Sequence, residues 1–354
     1  MSVITGSDTS SVFAPSVGLR ALKLWLFAVA GLVGLMVVVG GITRLTGSGL
    51  SMVEWRPLMG TLPPLTDAEW NRVFSLYRQS PEYLEINTGM TLAEFKRIFF
   101  WEFFHRLLGR LIGLAYGLPL LGFMIFRAVP PGMLGRLLLL LLLGGLQGGI
   151  GWWMVTSGLA DDPMVSQYRL AVHLGMALLI FGLLLWTALD LADGPAPAPF
   201  GVSSAGYPAF CLVLLGLTIL AGAFVAGLDG GLLYNEYPLM GNGLVPIEYG
   251  EMGLLDAFEN PASAQLHHRL LALTTVVAIA GLWWYGLKAG LASRSHVVLA
   301  AVLLQFLLGI ITLLHAVPVS LGTMHQGGAV VLLGSVLWLV HGLSRRHSRL
   351  QRWR

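Results

Sequence analysis

The chain has 354 residues, of which 56% are hydrophobic and only 11% charged, and its mean hydropathy is +0.76. A soluble domain carries roughly a quarter charged residues, so a soluble enzyme is excluded, and a net charge of +3 is too small for a nucleic-acid binder. The single cysteine, Cys211, lies in an apolar run, which rules out an intramolecular disulfide and any Cys-based zinc or iron–sulfur site.

Residues 1–20 are polar, Arg20 and Lys23 flank the first apolar run, and no signal-peptide cleavage pattern precedes it. They are read as a cytoplasmic tail. A bilayer-crossing helix needs about 20 mostly apolar residues. Eight runs meet that length: Leu24–Ile42, Phe103–Phe126, Leu137–Val155, Leu170–Leu189, Tyr207–Leu228, Leu270–Leu287, Val297–Val317 and Met324–Val340. Glycine pairs such as Gly144-Gly145 and Gly148-Gly149 let helix backbones approach closely in lipid.

A long loop, 44–101, follows the first span. Within it Thr66-Asp67-Ala68-Glu69 and Thr91-Leu92-Ala93-Glu94 fit the Ser/Thr-x-x-Glu capping box and predict two short amphipathic helices, the second running straight into span two. A shorter loop, Asp229–Gln265, follows span five. Eight spans put both termini on one side. If that side is cytoplasmic, it holds eleven Lys/Arg against three acids, leaving ten and fifteen opposite, as the positive-inside rule favours.

The two halves of the chain repeat one another. His105-Arg106-Leu107-Leu108 opens span two and His268-Arg269-Leu270-Leu271 opens span six. His173 opens span four and His325 span eight. Leu146-Gln147 with Gly151 answers Leu304-Gln305 with Gly309, and Glu54-Trp55 with Pro57-Leu58-Met59-Gly60 answers Glu236-Tyr237 with Pro238-Leu239-Met240-Gly241. Matches in this order define an internal repeat. Each half holds an even number of spans, so the repeats are parallel. The expected fold is an all-α integral membrane protein, eight transmembrane helices forming two pseudo-symmetric four-helix bundles at 21–192 and 207–343. A cytoplasmic linker, 193–206, joins them, and a basic tail, 344–354, follows.

Spans two, four, six and eight all enter from the outer side, so His105, His173, His268 and His325 share one depth just inside the interface. A buried polar ring in lipid needs partners. Paired imidazoles across a four-helix bundle suit axial ligation of haem iron. The plain alternative is that each histidine hydrogen-bonds a neighbouring helix; zinc is poorly served, with no cysteine near. Glu102, three residues before His105, is answered by Gln265 in the second half, which suggests chemistry in the first half. Glu102 is equally read as an ion-pair partner of Arg106. Arg106, Arg110 and Arg269 suit haem propionates or lipid headgroups alike. His267 and His315 are read as non-ligands, and His296, His341 and His347 as solvated or interfacial residues on the cytoplasmic side.

These residues, with Gly40-Gly41-Ile42-Thr43-Arg44, Tyr168-Arg169-Leu170-Ala171-Val172-His173 and Asn235-Glu236-Tyr237-Pro238, resemble the haem A synthase family along nearly the whole chain. The resemblance implies an enzyme oxidising the C8 methyl of haem O to the formyl of haem A, in a bacterial inner membrane with both termini cytoplasmic and the histidines toward the outer face. It implies a haem b cofactor on His268 and His325, substrate haem on His105 and His173, and Glu102 as the catalytic glutamate. Family members with a loop cysteine pair exist; this chain lacks the pair, like the proteobacterial and mitochondrial branch. Haem O synthase and cytochrome oxidase assembly factors are implied neighbours, the electron partner is open, and a homo-oligomer is compatible. Two other functions remain open at this stage: a di-haem b protein that only transfers electrons, for example with quinone, and a transporter built on a parallel repeat.

Overall fold

The computed structural model describes residues 15–54, 60, 62–160, 163–194 and 206–351. Every regular element among them is helical. Eight helices are long and apolar enough to cross a membrane: α1 (Pro15–Leu45), α4 (Leu92–Ile125), α5 (Leu134–Val155), α6 (Gln167–Asp193), α7 (Gly206–Gly227), α9 (Pro261–Lys288), α10 (Ala292–Leu314) and α11 (Val319–Gln351). Three short ones lie in the loops: α2 (Asp67–Tyr77), α3 (Pro81–Glu85) and α8 (Asp256–Glu259). The protein is a multi-pass membrane protein of the all-α class.

Both capping signals operate. Thr66 accepts from the Glu69 amide, and Thr91 and Glu94 satisfy each other's backbone amides to start α4, which runs unbroken into the membrane span. α3, which lacks that signature, starts at Ser80 with Pro81 in its first turn. Most spans begin or end outside the apolar runs. α9 starts at Pro261, nine residues before Leu270, because Asn260 caps the Ala262 and Ser263 amides and its polar residues find partners in the preceding loop. Hydropathy registers only the lipid-facing part of such a helix. The motif at Trp55–Met59 lies outside the described residues, as do residues 1–14 of the expected tail, 195–205 of the expected linker and 352–354.

α1 packs on α4, α6 and α11, and α7 on α6, α9 and α11. The inner layer is therefore α1, α6, α7 and α11, with α4 and α5 flanking one side and α9 and α10 the other. Aliphatic side chains from all these helices fill the core, among them Leu22, Leu137, Leu184, Ile279, Leu282 and Val336. Polar links stitch the two groups of four. Arg44 on α1 meets Asp229 at 2.8 Å, and the Tyr168 hydroxyl on α6 donates to Glu259 at 2.5 Å. At the opposite end of the bundle Arg294 meets Asp193 at 2.6 Å. There, too, His341 corrects the sequence expectation: it is fully buried, with Nε2 3.1 Å from Asp190 and its ring edge-on to Trp186. The 67–99 segment folds over the other end as a small aromatic cluster of Tyr77, Tyr83, Phe95 and Phe99.

Candidate functional site

Four helices carry the histidines singled out in the sequence, α4, α6, α9 and α11, and each does so within its first four turns. All four imidazoles fall at the end of the bundle where the long loops lie. Each of these histidines is half-buried between helices.

A bare glycine underlies every ring. A Cβ added at Gly40, Gly151, Gly222 or Gly309 would meet the Cε1 of His105, His173, His268 or His325 at 3.1, 3.0, 3.0 and 2.8 Å respectively. These are contacts that real side chains hardly make, so glycine is what lets each ring lie against the neighbouring backbone. Gln147 and Gln305 stand one turn before Gly151 and Gly309. Their amides donate to the backbone carbonyls of His173 and His325 at 3.0 and 2.8 Å, and each lies 3.2 Å from the ring Nδ1. His268 Nδ1 lies 3.0 Å from the Thr218 carbonyl; a carbonyl only accepts, so the ring proton sits on Nδ1 and Nε2 keeps its lone pair.

The rings of His268 and His325 are 6.4 Å apart between centroids and perpendicular, at 89°. Two imidazoles sharing one metal through bonds of about 2.0 Å place their centroids roughly 6.3 Å apart. The separation matches, and no described side chain bonds either Nε2. The other two imidazoles, His105 and His173, form no such ring pair. Among the described residues no three His, Cys, Asp or Glu side chains converge on a metal position. Two imidazoles leave a bare ion short of ligands, whereas a porphyrin brings four nitrogens of its own. The residues present therefore fit a haem.

Glu102 is 3% exposed. One oxygen pairs with Arg106 at 2.5 Å; the other accepts from the Ser51 hydroxyl and the Met52 amide, both at 2.7 Å. The ion pair weighed from the sequence is formed, and it also ties the loop after α1 to α4. Gln265 makes the matching tie in the other half. Its amide donates to the Gly230 carbonyl at 2.8 Å and its oxygen accepts from Arg269 at 2.9 Å. Loop 51–52 offers donors and takes a carboxylate; loop 230–234 offers carbonyls and takes an amide.

Arg106 also donates to the Met52 carbonyl at 3.1 Å. Arg269 donates to the Tyr234 and Leu239 carbonyls at 3.0 and 3.1 Å and lies over the Tyr237 ring. Both arginines are thus loop ties in this structure. Arg110 is half-buried one turn further along the same face of α4. A cleft between α4, α5 and the loop opens beside Arg106, lined by Met52, Val53, Trp152 and Val155. His267 stacks edge-on with Tyr249, His315 Nδ1 lies 2.8 Å from its own helix's Ile311 carbonyl, and His296 accepts from Trp283 on an exposed surface. The Ser51 tie and the Thr218 carbonyl carry no sequence signature. Gly151 and Gly309 belonged to the repeat, but their contact with the histidines did not show in it.

Residues 23–337 match the family model described as cytochrome oxidase assembly protein. The haem A synthase of Parvibaculum lavamentivorans is 46% identical over 329 residues, covering 92% of this chain and 95% of that one. Those of Nitrosospira multiformis and Rhodospirillum centenum are 44% and 47% identical, over 92% and 91% of this chain and 94% and 88% of theirs.

Proposed function

Since this chain belongs to the cytochrome oxidase assembly protein family, with relatives named as haem A synthases along almost their full length, we propose that it is itself a haem A synthase, an enzyme oxidising the C8 methyl of haem O to the formyl group of haem A. The site reading is carried by one observation, the perpendicular His268–His325 pair with its ring centroids 6.4 Å apart. These two residues hold a resident haem b. When bound, that group supplies one-electron chemistry.

His105 and His173 take the substrate haem. The four His–Gly contacts and the two glutamines support a parallel repeat in which both halves build the same cradle. Glu102 is the catalytic carboxylate. Held by Ser51, Met52 and Arg106 one turn outward of His105, it is placed to orient the substrate or move a proton beside it. Arg106, Arg110 and Arg269 are the candidate propionate partners, the first and last on release from their loop ties. The cleft between α4 and α5 gives the farnesyl tail a way out to apolar helix faces.

The termini face the cytoplasm of a bacterial inner membrane and the histidines lie beneath its outer surface, a reading supported by the eleven Lys/Arg assigned to the side of the termini. Haem O synthase and oxidase assembly factors are the fitting partners. A purely electron-transferring di-haem b protein is not favoured by the relatives' names. The test is expression beside a haem O producer, followed by chromatography of extracted haems. Haem A must form with the wild-type chain and fail to form with His268→Met, which must also lose the bis-imidazole spectrum. Haem A production by a chain lacking all four histidines would refute the assignment.

A further inference from the structure

The four imidazoles share a glycine cradle but differ in what holds the ring nitrogen Nδ1. For His268 it is the Thr218 carbonyl at 3.0 Å, for His173 the Gln147 amide at 3.2 Å and for His325 the Gln305 amide at 3.2 Å. The oxygens of both glutamines are buried without another partner. The amide that reaches each ring also donates to the carbonyl of the same histidine, so each glutamine fixes where its ring lies. His105 Nδ1 has nothing: it is buried and no donor or acceptor reaches it, although the ring rests on Gly40 as the others rest on their glycines.

A partner on the far nitrogen fixes a ligating imidazole's tautomer and orientation and raises its basicity, and losing it weakens metal binding roughly 10–100-fold. One pair, His268 and His325, is tied at both rings; the other is tied only at His173. We propose that His105 is the exchangeable ligand of the substrate haem, and that Gln147, Gln305 and the Thr218 carbonyl are positioning groups that make the other three ligands lasting. The asymmetry suits the chemistry. A resident haem must stay, whereas a substrate haem must arrive, open a coordination position and leave. The inference rests on the ligand reading above.

Full-length protein purified with its haems, reduced with dithionite and exposed to carbon monoxide tests this. Wild type is expected to bind the gas at one haem only, by displacement of a ligand. His105→Ala is expected to keep that haem and to bind at least tenfold faster, since nothing has to leave. His173→Ala is expected to lose haem at least tenfold faster than wild type. Gln305→Leu, which unties His325, is expected to make the second haem reactive. The proposal is overturned if reduced wild type binds no carbon monoxide, if His105→Ala sheds haem as fast as His173→Ala, or if Gln305→Leu leaves the second haem closed. Unchanged haem content in both His105→Ala and His173→Ala would instead overturn the underlying reading of a first-half haem site.

Discussion

Replacing Gly309 by alanine puts one methyl group against the ring that most closely crosses a neighbouring backbone. The new Cβ would stand 2.8 Å from His325 Cε1 and 3.4 and 3.6 Å from its two nitrogens, so the ring must swing or α10 must move. Over-filling a packed interior costs about 1–3 kcal/mol. Each 1.4 kcal/mol is a factor of about ten in affinity, so haem retention should weaken roughly five- to a hundredfold. Helix stability runs the other way, because alanine is favoured over glycine within a helix by roughly 0.5–1 kcal/mol. A loss of haem with unchanged or raised thermal stability therefore reports the ring and not the fold. The assay is transfer of haem from purified protein to excess apomyoglobin, followed in the Soret band. Gly144→Ala is the control, since a Cβ there meets nothing within 4 Å. If Gly309→Ala released haem within about twofold of the wild-type rate, the cradle would not position His325 and the reasoning fails.

Gly40→Ala should be milder, because the 3.1 Å contact with His105 asks for a shift of only a few tenths of an ångström by a ring with no tether at Nδ1; a loss of haem as large as that of Gly309→Ala would contradict this. Glu102→Gln removes the charge facing Arg106, and breaking a buried pair costs about 3–5 kcal/mol. Haem A output should collapse while amide exchange in residues 48–54 rises, and wild-type output would end the catalytic assignment. Burial pushes the Glu82 carboxyl in the loop between α1 and α4 from 4.5 up to about 7, against the hydrogen bond donated by Tyr77 and with help from the charge on Glu102. A carboxyl raised in the folded state binds more protons there than when unfolded. The 67–99 segment should therefore lose stability as pH climbs from 4.5 to about 7, by an amount of order 3 kcal/mol. Hydrogen exchange, corrected for its intrinsic pH dependence, checks this, and Glu82→Gln should flatten the profile; a segment more protected at high pH would reverse the sign. Asp190→Ala strips His341 of its partner at Nε2 when Nδ1 already has none, a cost of about 1–3 kcal/mol. The unfolding midpoint in detergent should drop, and an unmoved midpoint would count against the link.

Eight apolar runs, the order of the paired motifs and the four histidines were all readable along the chain, because a bilayer forces every backbone polar group into a helix and makes each buried imidazole conspicuous. The capping boxes at Thr66 and Thr91 were readable for the same local reason: both partners lie three residues apart. What stayed hidden depends on which helix lies beside which. His341 reads as a solvated inner-side residue until α6 brings Asp190 and Trp186 against it. The closeness of His268 to Thr218 spans 50 residues of sequence, and that of His105 to Gly40 spans another helix pair. The sequence alone determined which stretches are long and apolar enough to cross a membrane and where the imidazoles fall along them, since both follow from side-chain chemistry counted along one strand of text. Only the tertiary structure decided how each ring is held, because the depth of a glycine groove and the reach of a carbonyl are distances between helices, and no one-dimensional pattern encodes a distance.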